Sequence, residues 1–363
     1  MQPAGASWLA TAVAACGLIA GGATPGQSGQ QEAVRIHPGE AWSTVFGNSQ
    51  QKLAYRVEAQ REVAGRLTWS LGSQGRTLAR GETPFRASPG HPARPELTLR
   101  VPPVKDGVIL GLELVASVFA EGGRDALATH RRPIRVFPES PFADRPEWLK
   151  QLEITLFDPP GKTSSVFNRM KVPHKSAVRV PALEGIGRGL VVVGEGVSLD
   201  EHRSLPETLL GLAARGVPVV WLAPSEGGFT FPGTEGSRPP APQRIALRGR
   251  DAIADLDKRL DADAWPPDGR VAAVHIELTG RPGRVLARVA PGDGGWPWLE
   301  LRYPGQGPGH GPGHGAALVL CGFAVIERWD SSPTPRFLLA RLFELAEKPA
   351  VKNEVSQSPG KQE

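Results

Sequence analysis

The spacing of apolar residues changes once along this chain, near residue 140, and that change limits what the chain can fold into. Before it, apolar and polar residues alternate in short runs. "LAYRVEA" puts Leu53, Tyr55 and Val57 on one face, and "GRLTWSL" does the same with Leu67, Trp69 and Leu71. "ELTLRV" repeats the rule with Leu97, Leu99 and Val101, "GVILGLELVASVF" with Val108, Leu110, Leu112 and Leu114, and "RPIRVF" closes the set. A period of two places every second side chain on the same face of a strand. Repeated with Gly and Pro between the runs, it predicts an all-β, immunoglobulin-like antiparallel sandwich over residues 34–140. The paired cysteines of antibody domains are absent, so the term describes architecture only. No His, Cys or carboxylate cluster marks this segment for catalysis, which favours a binding or spacing role.

After a Pro-rich connector over 141–150, ending in a short helical turn, the pattern becomes β-branched runs separated by helix-period segments. The runs are "LEITLF" (152–157), "AVRV" (177–180), "GLVVVGEG" (189–196) and "VPVVWLAP" (217–224). Strands that are apolar on both faces belong to a sheet covered on both faces, which means a parallel sheet. "SVFNRMK" and "HRSLPETLLGLAARG" are the intervening helices, the second stopped by Gly216. "RDAIADLDKRLDADAW" reads as an amphipathic helix and "RVAAVHIEL" as a buried strand. "GRVLARV", "PWLELRY" and "AALVLCGF" predict an antiparallel extension of the sheet, before a last helix in "TPRFLLARLFELAEK". Residues 349–363 read as a disordered tail. The expectation for 151–348 is an α/β domain of three layers, Rossmann-like in kind.

The first 34 residues hold none of the 42 Lys and Arg, and Trp8 to Ala23 is an apolar run broken by Gly17, Gly21 and Gly22. This predicts an export signal over 1–23, cleaved after Ala23, or a lipoprotein signal with "VAAC" making Cys16 the lipidated residue. The expected location is therefore periplasmic or at the cell surface, with membrane contact only through such an anchor. Cys321 is the one other cysteine, which excludes an internal disulfide in the mature chain. Basic residues are spread out and not interleaved with aromatics, so nucleic-acid binding has no support.

"LFDPPGKTSS" poses the question of a phosphate loop. Such a loop needs G-x-x-x-x-G-K-[ST], and here Leu156 stands at the first glycine while Pro159 and Pro160 remove two N–H donors. A structural strand-to-helix connection is the better reading. "APSEG" approximates a G-x-S-x-G elbow, but "GFTFPGTEG" cannot start the helix that would carry an oxyanion site behind Ser225. His310 and His314 lie in "GPGHGPGHG", where Gly and Pro forbid the helix that would align them for a metal. His275 reads as a strand residue, and Asp200 and Glu201 before His202 as helix-capping charge.

"LVVVGEGVSLDE", "LLGLAARGVPVVWLAPSEGGF" and "LVLCGFAVIERWDSSPTPRFLLARLFELA" together resemble the flavodoxin-like domain of class I glutamine-amidotransferase-like proteins. They are most similar to the non-catalytic versions attached to β-sandwiches in large secreted bacterial proteins, some linked to glycoside hydrolases. The resemblance spans roughly residues 150–347 and implies a fold rather than a reaction. An active member needs a Cys on a strand-to-helix elbow with His and Glu behind it. Cys321 sits inside a strand run with no elbow, so no catalytic residue, metal ligand or cofactor is assigned.

What remains is position. Ligands of open parallel sheets bind outside the carboxyl ends of the strands. Asp158, Lys162 and Thr163 after the first strand, Glu195 after the third, and Ser225 and Glu226 after the fourth are the candidate ligand-binding residues, with Lys162 placed to pair with Glu195 or Glu226. The function this predicts is an exported, non-catalytic protein that binds an unknown protein or carbohydrate at the cell surface. The alternative is a hydrolase of carbohydrate or ester using converging carboxylates such as Asp158 and Glu195.

Overall fold

The computed structural model describes residues 34–231, 241–263, 265, 273–281, 284–290, 295–304 and 316–347. The expected signal over 1–23 with Cys16, the His310–His314 repeat and the tail over 349–363 lie outside the described residues. The fold is mixed α/β, with a curled sheet in the first third and a parallel sheet in the remainder.

Eight strands come first: β1 (Val34–Pro38), β2 (Thr44–Phe46), β3 (Gln50–Ala59), β4 (Val63–Ser73), β5 (Arg76–Ala87), β6 (Glu96–Arg100), β7 (Leu110–Ala120) and β8 (Ala126–Phe137). They form a three-stranded sheet in the order β1-β3-β6 and a five-stranded sheet in the order β2-β8-β7-β4-β5. Leu53, Tyr55, Leu67, Leu71, Leu97, Leu99, Leu112 and Leu114 meet in one core between them, as the alternation predicts. Trp69 is only partly buried at its margin. Val108 departs from expectation: it is 48% exposed and precedes β7. Strand β5 was not legible, because Gly81 and Pro84 interrupt its alternation and its side chains are largely exposed at the sheet edge.

The remainder contains α1 (Pro146–Gln151), β9 (Thr155–Phe157), α2 (Lys162–Arg169), β10 (Lys175–Ala177), α3 (Pro181–Glu184), β11 (Val191–Val193), α4 (Leu205–Ala214) and β12 (Val219–Leu222). There follow β13 (Gly228–Phe231), β14 (Arg244–Arg248), α5 (Asp251–Leu256), β15 (His275–Arg281), β16 (Arg284–Ala290), β17 (Trp298–Arg302), β18 (Ala317–Cys321) and α6 (Pro333–Glu347). A seven-stranded sheet runs β10-β9-β11-β12-β18-β17-β14. Its first five strands are mutually parallel; β17 runs antiparallel to β18, and β14 runs antiparallel to β17 and so in the direction of the first five. Numbered by appearance, the parallel strands lie in the order 2-1-3-4-5, one of the two common doubly wound orders.

Alternation within the short strands assigns the two faces. Val192, Val220 and Val319 enter the core with α1, α2, α5 and α6, while Val191, Val193, Val219, Trp221, Leu318 and Leu320 enter the core with α3 and α4. In α4, Leu205, Leu209, Leu212 and Ala213 are buried as their spacing predicts, and Gly216 at φ +95° ends the helix.

Four expectations are corrected. "AALVLCGF" is not an antiparallel addition but β18, the fifth parallel strand, and only "PWLELRY" extends the sheet as foreseen, with the unforeseen β14 outside it. "GRVLARV" and "RVAAVHIEL" supply β16 and β15 of a separate antiparallel sheet, β13-β16-β15. The strand expected at 177–180 lies earlier, at Lys175–Ala177, leaving Val178 81% exposed. The helix expected over 250–265 stops at Leu256, because the Asp257 carboxylate turns back to accept the Arg259 N–H at 3.0 Å.

The early termination of α5 frees Asp261 for a different task. Its buried carboxylate accepts hydrogen bonds from the N–H (2.9 Å) and Oγ (2.5 Å) of Ser43, and from the N–H (3.0 Å) and Oγ1 (2.6 Å) of Thr44. The Asp261 N–H donates in turn to Thr334 Oγ1 in α6 at 3.1 Å. Around this clasp, Phe137 at the end of β8 packs on Phe337 with centroids 4.7 Å apart, and Arg336 lies over Phe46 and donates to the Glu139 carbonyl. Asp261→Ala strands buried donors on the β2 side and is expected to cost about 3 kcal/mol. Calorimetry reads this as a lower unfolding midpoint, and an unchanged midpoint would rule the clasp out as a stabilising contact.

Further along the same stripe of α6 an ion-pair chain runs Arg259–Asp257–Arg341–Glu344–Arg145. Burial opposes ionisation of Asp257, yet the hydrogen bonds and charge of Arg259 and Arg341 outweigh it and hold the carboxyl below its ordinary value. The same balance, with Arg145 and Arg341, lowers Glu344. Groups depressed in the fold take up protons more readily when unfolded, so their contribution is complete at neutral pH. It is lost as pH falls through about 4 and then through the depressed values. Thermal melts between pH 7 and 3 should show this loss, and Arg341→Ala should flatten it.

Candidate functional site

The carboxyl ends of β9 and β11 flank the point where strand order reverses, which is where a doubly wound sheet offers a crevice. Asp158 follows β9 and opens a tight turn, its carbonyl accepting the Gly161 N–H at 3.0 Å. Gly161 sits at φ +76° and α2 begins at Lys162, so the GKT triplet is the first turn of a helix. The Asp158 carboxylate then folds back and accepts the Ser164 N–H at 2.7 Å. This places a negative charge at the helix N-terminus, where backbone N–H groups and the dipole favour an anion. The slot that a phosphate would occupy is taken by the chain's own carboxylate.

Thr163 is fully buried and accepts the Glu195 N–H at 2.9 Å, tying α2 to the loop after β11. Between them, the Gly194 N–H donates to the Phe157 carbonyl at 2.8 Å. A Cβ on Gly194 would lie 2.2 Å from Asp158 Oδ1, so this approach requires glycine. Glu195, 7% exposed, spends both carboxylate oxygens on the turn after β18: Ile326 N–H at 2.6 Å and Glu327 N–H at 2.9 Å. Burial pushes the Glu195 pKa up; the two N–H bonds and the charge of Lys162 offset part of that, and Glu327 adds to it.

The loops after β11 and β12 are laced together beyond their strands. Gly196 N–H donates to the Ala223 carbonyl, Ser225 N–H to Val197, and Leu199 N–H to Glu226. Buried Ser198 donates through Oγ to Glu226 at 2.9 Å. Ser225 is exposed and leads into β13, a strand rather than the helix that a nucleophile elbow requires. Beyond β18, the Val274 N–H donates to the Gly322 carbonyl and the Gly322 N–H to Pro297, at 2.6 and 2.7 Å. With the Val289 N–H on the Gly227 carbonyl, the β13-β16-β15 sheet and its flanks adjoin the ends of β12 and β18. Cys321 is completely enclosed, and burial drives its thiol pKa up to about 12. Enclosure and a raised pKa both disfavour the thiolate, the reactive form of cysteine.

The six expected binding residues therefore divide. Asp158, Thr163 and Glu195 converge at the β9–β11 junction, while Glu226 joins Ser198 at the β11–β12 lacing. Lys162 is exposed and, among the described residues, pairs with neither Glu195 nor Glu226. His202 packs edge-on against Phe157, with centroids 5.2 Å apart. Among the described residues no group of three His, Cys, Asp or Glu could hold a metal, and no helix is long and apolar enough to cross a membrane. Clefts of about 350, 530 and 560 Å³ are lined by residues of the first eight strands and their loops.

No family model matches the chain, and no curated protein matches it. Among solved structures, the sporulation control protein of Bacillus subtilis is similar at TM-score 0.23 and 14% identity, over 33% of this chain and 55% of that one. The native conformation of alpha-2-macroglobulin from E. coli gives TM-score 0.24 and 14% identity, over 30% of this chain and 8% of that one. A cycloisomaltooligosaccharide glucanotransferase from Paenibacillus sp. gives 0.25 and 8%, over 70% of this chain and 33% of that one. The chain thus spans about half of the first of these and under a tenth of the second. At such TM-scores none of these likenesses assigns a family.

Gly194→Ala forces the β9 and β11 loops apart and is expected to destabilise the fold by about 2 kcal/mol. Gly161→Ala meets open space apart from Ser164 Oγ at 4.0 Å and suffers only the positive φ, about 1 kcal/mol. Paired denaturant melts test the difference, and equal losses would refute the close approach.

Proposed function

We propose that the chain is an exported, non-catalytic binding or assembly protein, built from an immunoglobulin-like sandwich and a flavodoxin-like domain of degenerate amidotransferase type. One observation carries the reading: Asp158, Glu195 and Cys321, the edge carboxylates at the strand-order reversal and the thiol of β18, are bonded to backbone or enclosed. Asp158 caps α2, both Glu195 oxygens hold N–H groups, and Cys321 is buried with a raised pKa. The strand order 2-1-3-4-5 supports the flavodoxin-like assignment. Export rests on the sequence of residues 1–34, with cleavage after Ala23 or lipidation of Cys16 as the two routes. Mass spectrometry of the mature N-terminus distinguishes them.

The hydrolase alternative needs a carboxylate free to exchange a proton with substrate. Glu195 is not such a group while it holds the turn after β18. Assays with glutamine, ester and glycoside substrates are expected to show no turnover. Turnover abolished by Ser225→Ala or Cys321→Ala would overturn the reading. ATP is expected to give no thermal shift that depends on Lys162, because Asp158 already fills the helix N-terminus.

A further inference from the structure

The five-stranded sheet turns one face to the core and the other outward. Among the described residues, the α/β half covers the outward face at the β2–β8 end, through Thr44, Phe46 and Phe137. Across β5, β4, β7 and β8 the rest of that face presents two aligned rows. One is Glu82, Thr68, Ser117 and Thr129; the other is Arg80, Ser70, Val115 and Arg131. Ser117 and Thr129 are hydrogen-bonded through their hydroxyls at 3.0 Å, and Thr68 Oγ1 reaches the Ser117 carbonyl at 3.4 Å. A cleft of about 530 Å³ lies on these rows, and one of about 560 Å³ continues from it toward the β4–β5 turn, the two sharing Ser70 and Val115.

The charge on this face is one-sided. Arg66, Arg80, Arg86 and Arg131 stand against Glu82 and Glu113, an excess of two positive charges. Glu113 pairs with Arg131 at 3.1 Å, and Arg66 lies over Phe119. Among the described residues Arg80 and Arg86 have no ion-pair partner. The bias extends to the whole segment: residues 34–140 hold 15 Lys and Arg against 10 Asp and Glu, a difference equal to the net charge of +5 of the entire chain.

We propose that this outward face binds a carboxylated polysaccharide, a chain of uronate sugars. Sugar hydroxyls donate and accept, as the Thr68, Ser117 and Thr129 hydroxyls do, so a row of hydroxyls across strands about 4.8 Å apart can exchange hydrogen bonds with successive rings. Guanidinium forks match carboxylates in two-bond geometry. An excess of two charges over the face suits a chain with one carboxylate per ring better than a densely sulfated chain, which Glu82 and Glu113 would repel more strongly. Peptide recognition depends on pockets for anchoring side chains, and half-buried Val115 is the apolar residue that the two clefts share. The inference rests on the binding reading above in one respect, that ligand is held and not cleaved.

The test is calorimetric titration of the full chain with polygalacturonate oligomers, neutral dextran, heparin and polyglutamate at low and moderate salt, with product analysis of the polygalacturonate. Binding of polygalacturonate alone is expected, weakening with salt. Arg80→Ser with Arg131→Ser should lower affinity at least about tenfold, and Thr68→Val with Thr129→Val should also lower it, with melting temperatures near that of the parent. Absence of polygalacturonate binding, equal or stronger binding of heparin or polyglutamate, or unchanged affinity in both variants overturns the proposal. Cleaved oligomers would instead overturn the non-catalytic reading while leaving the surface in place.

Discussion

Asp261 is the point through which the two halves of the molecule answer to each other. A buried carboxylate is costly unless hydrogen bonds replace its water, and here the Ser43 and Thr44 donors do so from the β2 side while Thr334 engages its backbone from α6. The clasp fixes β2 and the end of β8 against α6, which lets Phe137 and Phe142 join the core of the α/β half rather than that of their own strands. Helix α6 is consequently buried on most of its length and serves both halves. The uncovered remainder of the five-stranded sheet is defined by where this contact stops.

The carboxyl edge of the parallel sheet shows what happens when a binding position is filled by its own scaffold. Asp158, Thr163, Gly194 and Glu195 wire β9, α2, β11 and the turn after β18 into one unit. Asp158 and Glu195 meet backbone N–H groups and Thr163 meets the Glu195 N–H, which ties the edge together, while Lys162 and Ser225 stay exposed. The separate β13-β16-β15 sheet adjoins the far end of the same edge. Under the proposed function this edge serves as scaffold and the sheet face as the binding surface.

Much of this was legible in the sequence. Alternation located most of the core strands of the first third, and β-branched runs such as Val191–Val193 located the parallel strands, because burial on one face or on two leaves different periods. The candidate edge residues were correctly placed at strand ends. What could not be read was their consumption: the pairing of Glu195 with Ile326 and Glu327 spans over 130 positions and leaves no local signal. Strand β5 was hidden because an exposed edge strand need not alternate. The helix at 250–265 was overstated because Asp257 hydrogen-bonds its own backbone, a competition that apolar spacing does not register.

The sequence by itself determined the change of architecture near residue 140, from alternating strands to β-branched runs between helices. This follows from local periodicity and turn residues. Only the tertiary structure decided that β18 is a parallel strand inside the sheet, that Asp261 ties the halves together, and which part of the five-stranded sheet stays uncovered. Those outcomes depend on contacts between residues remote in sequence, whose free energy arises only when the chain has folded and excluded water from them.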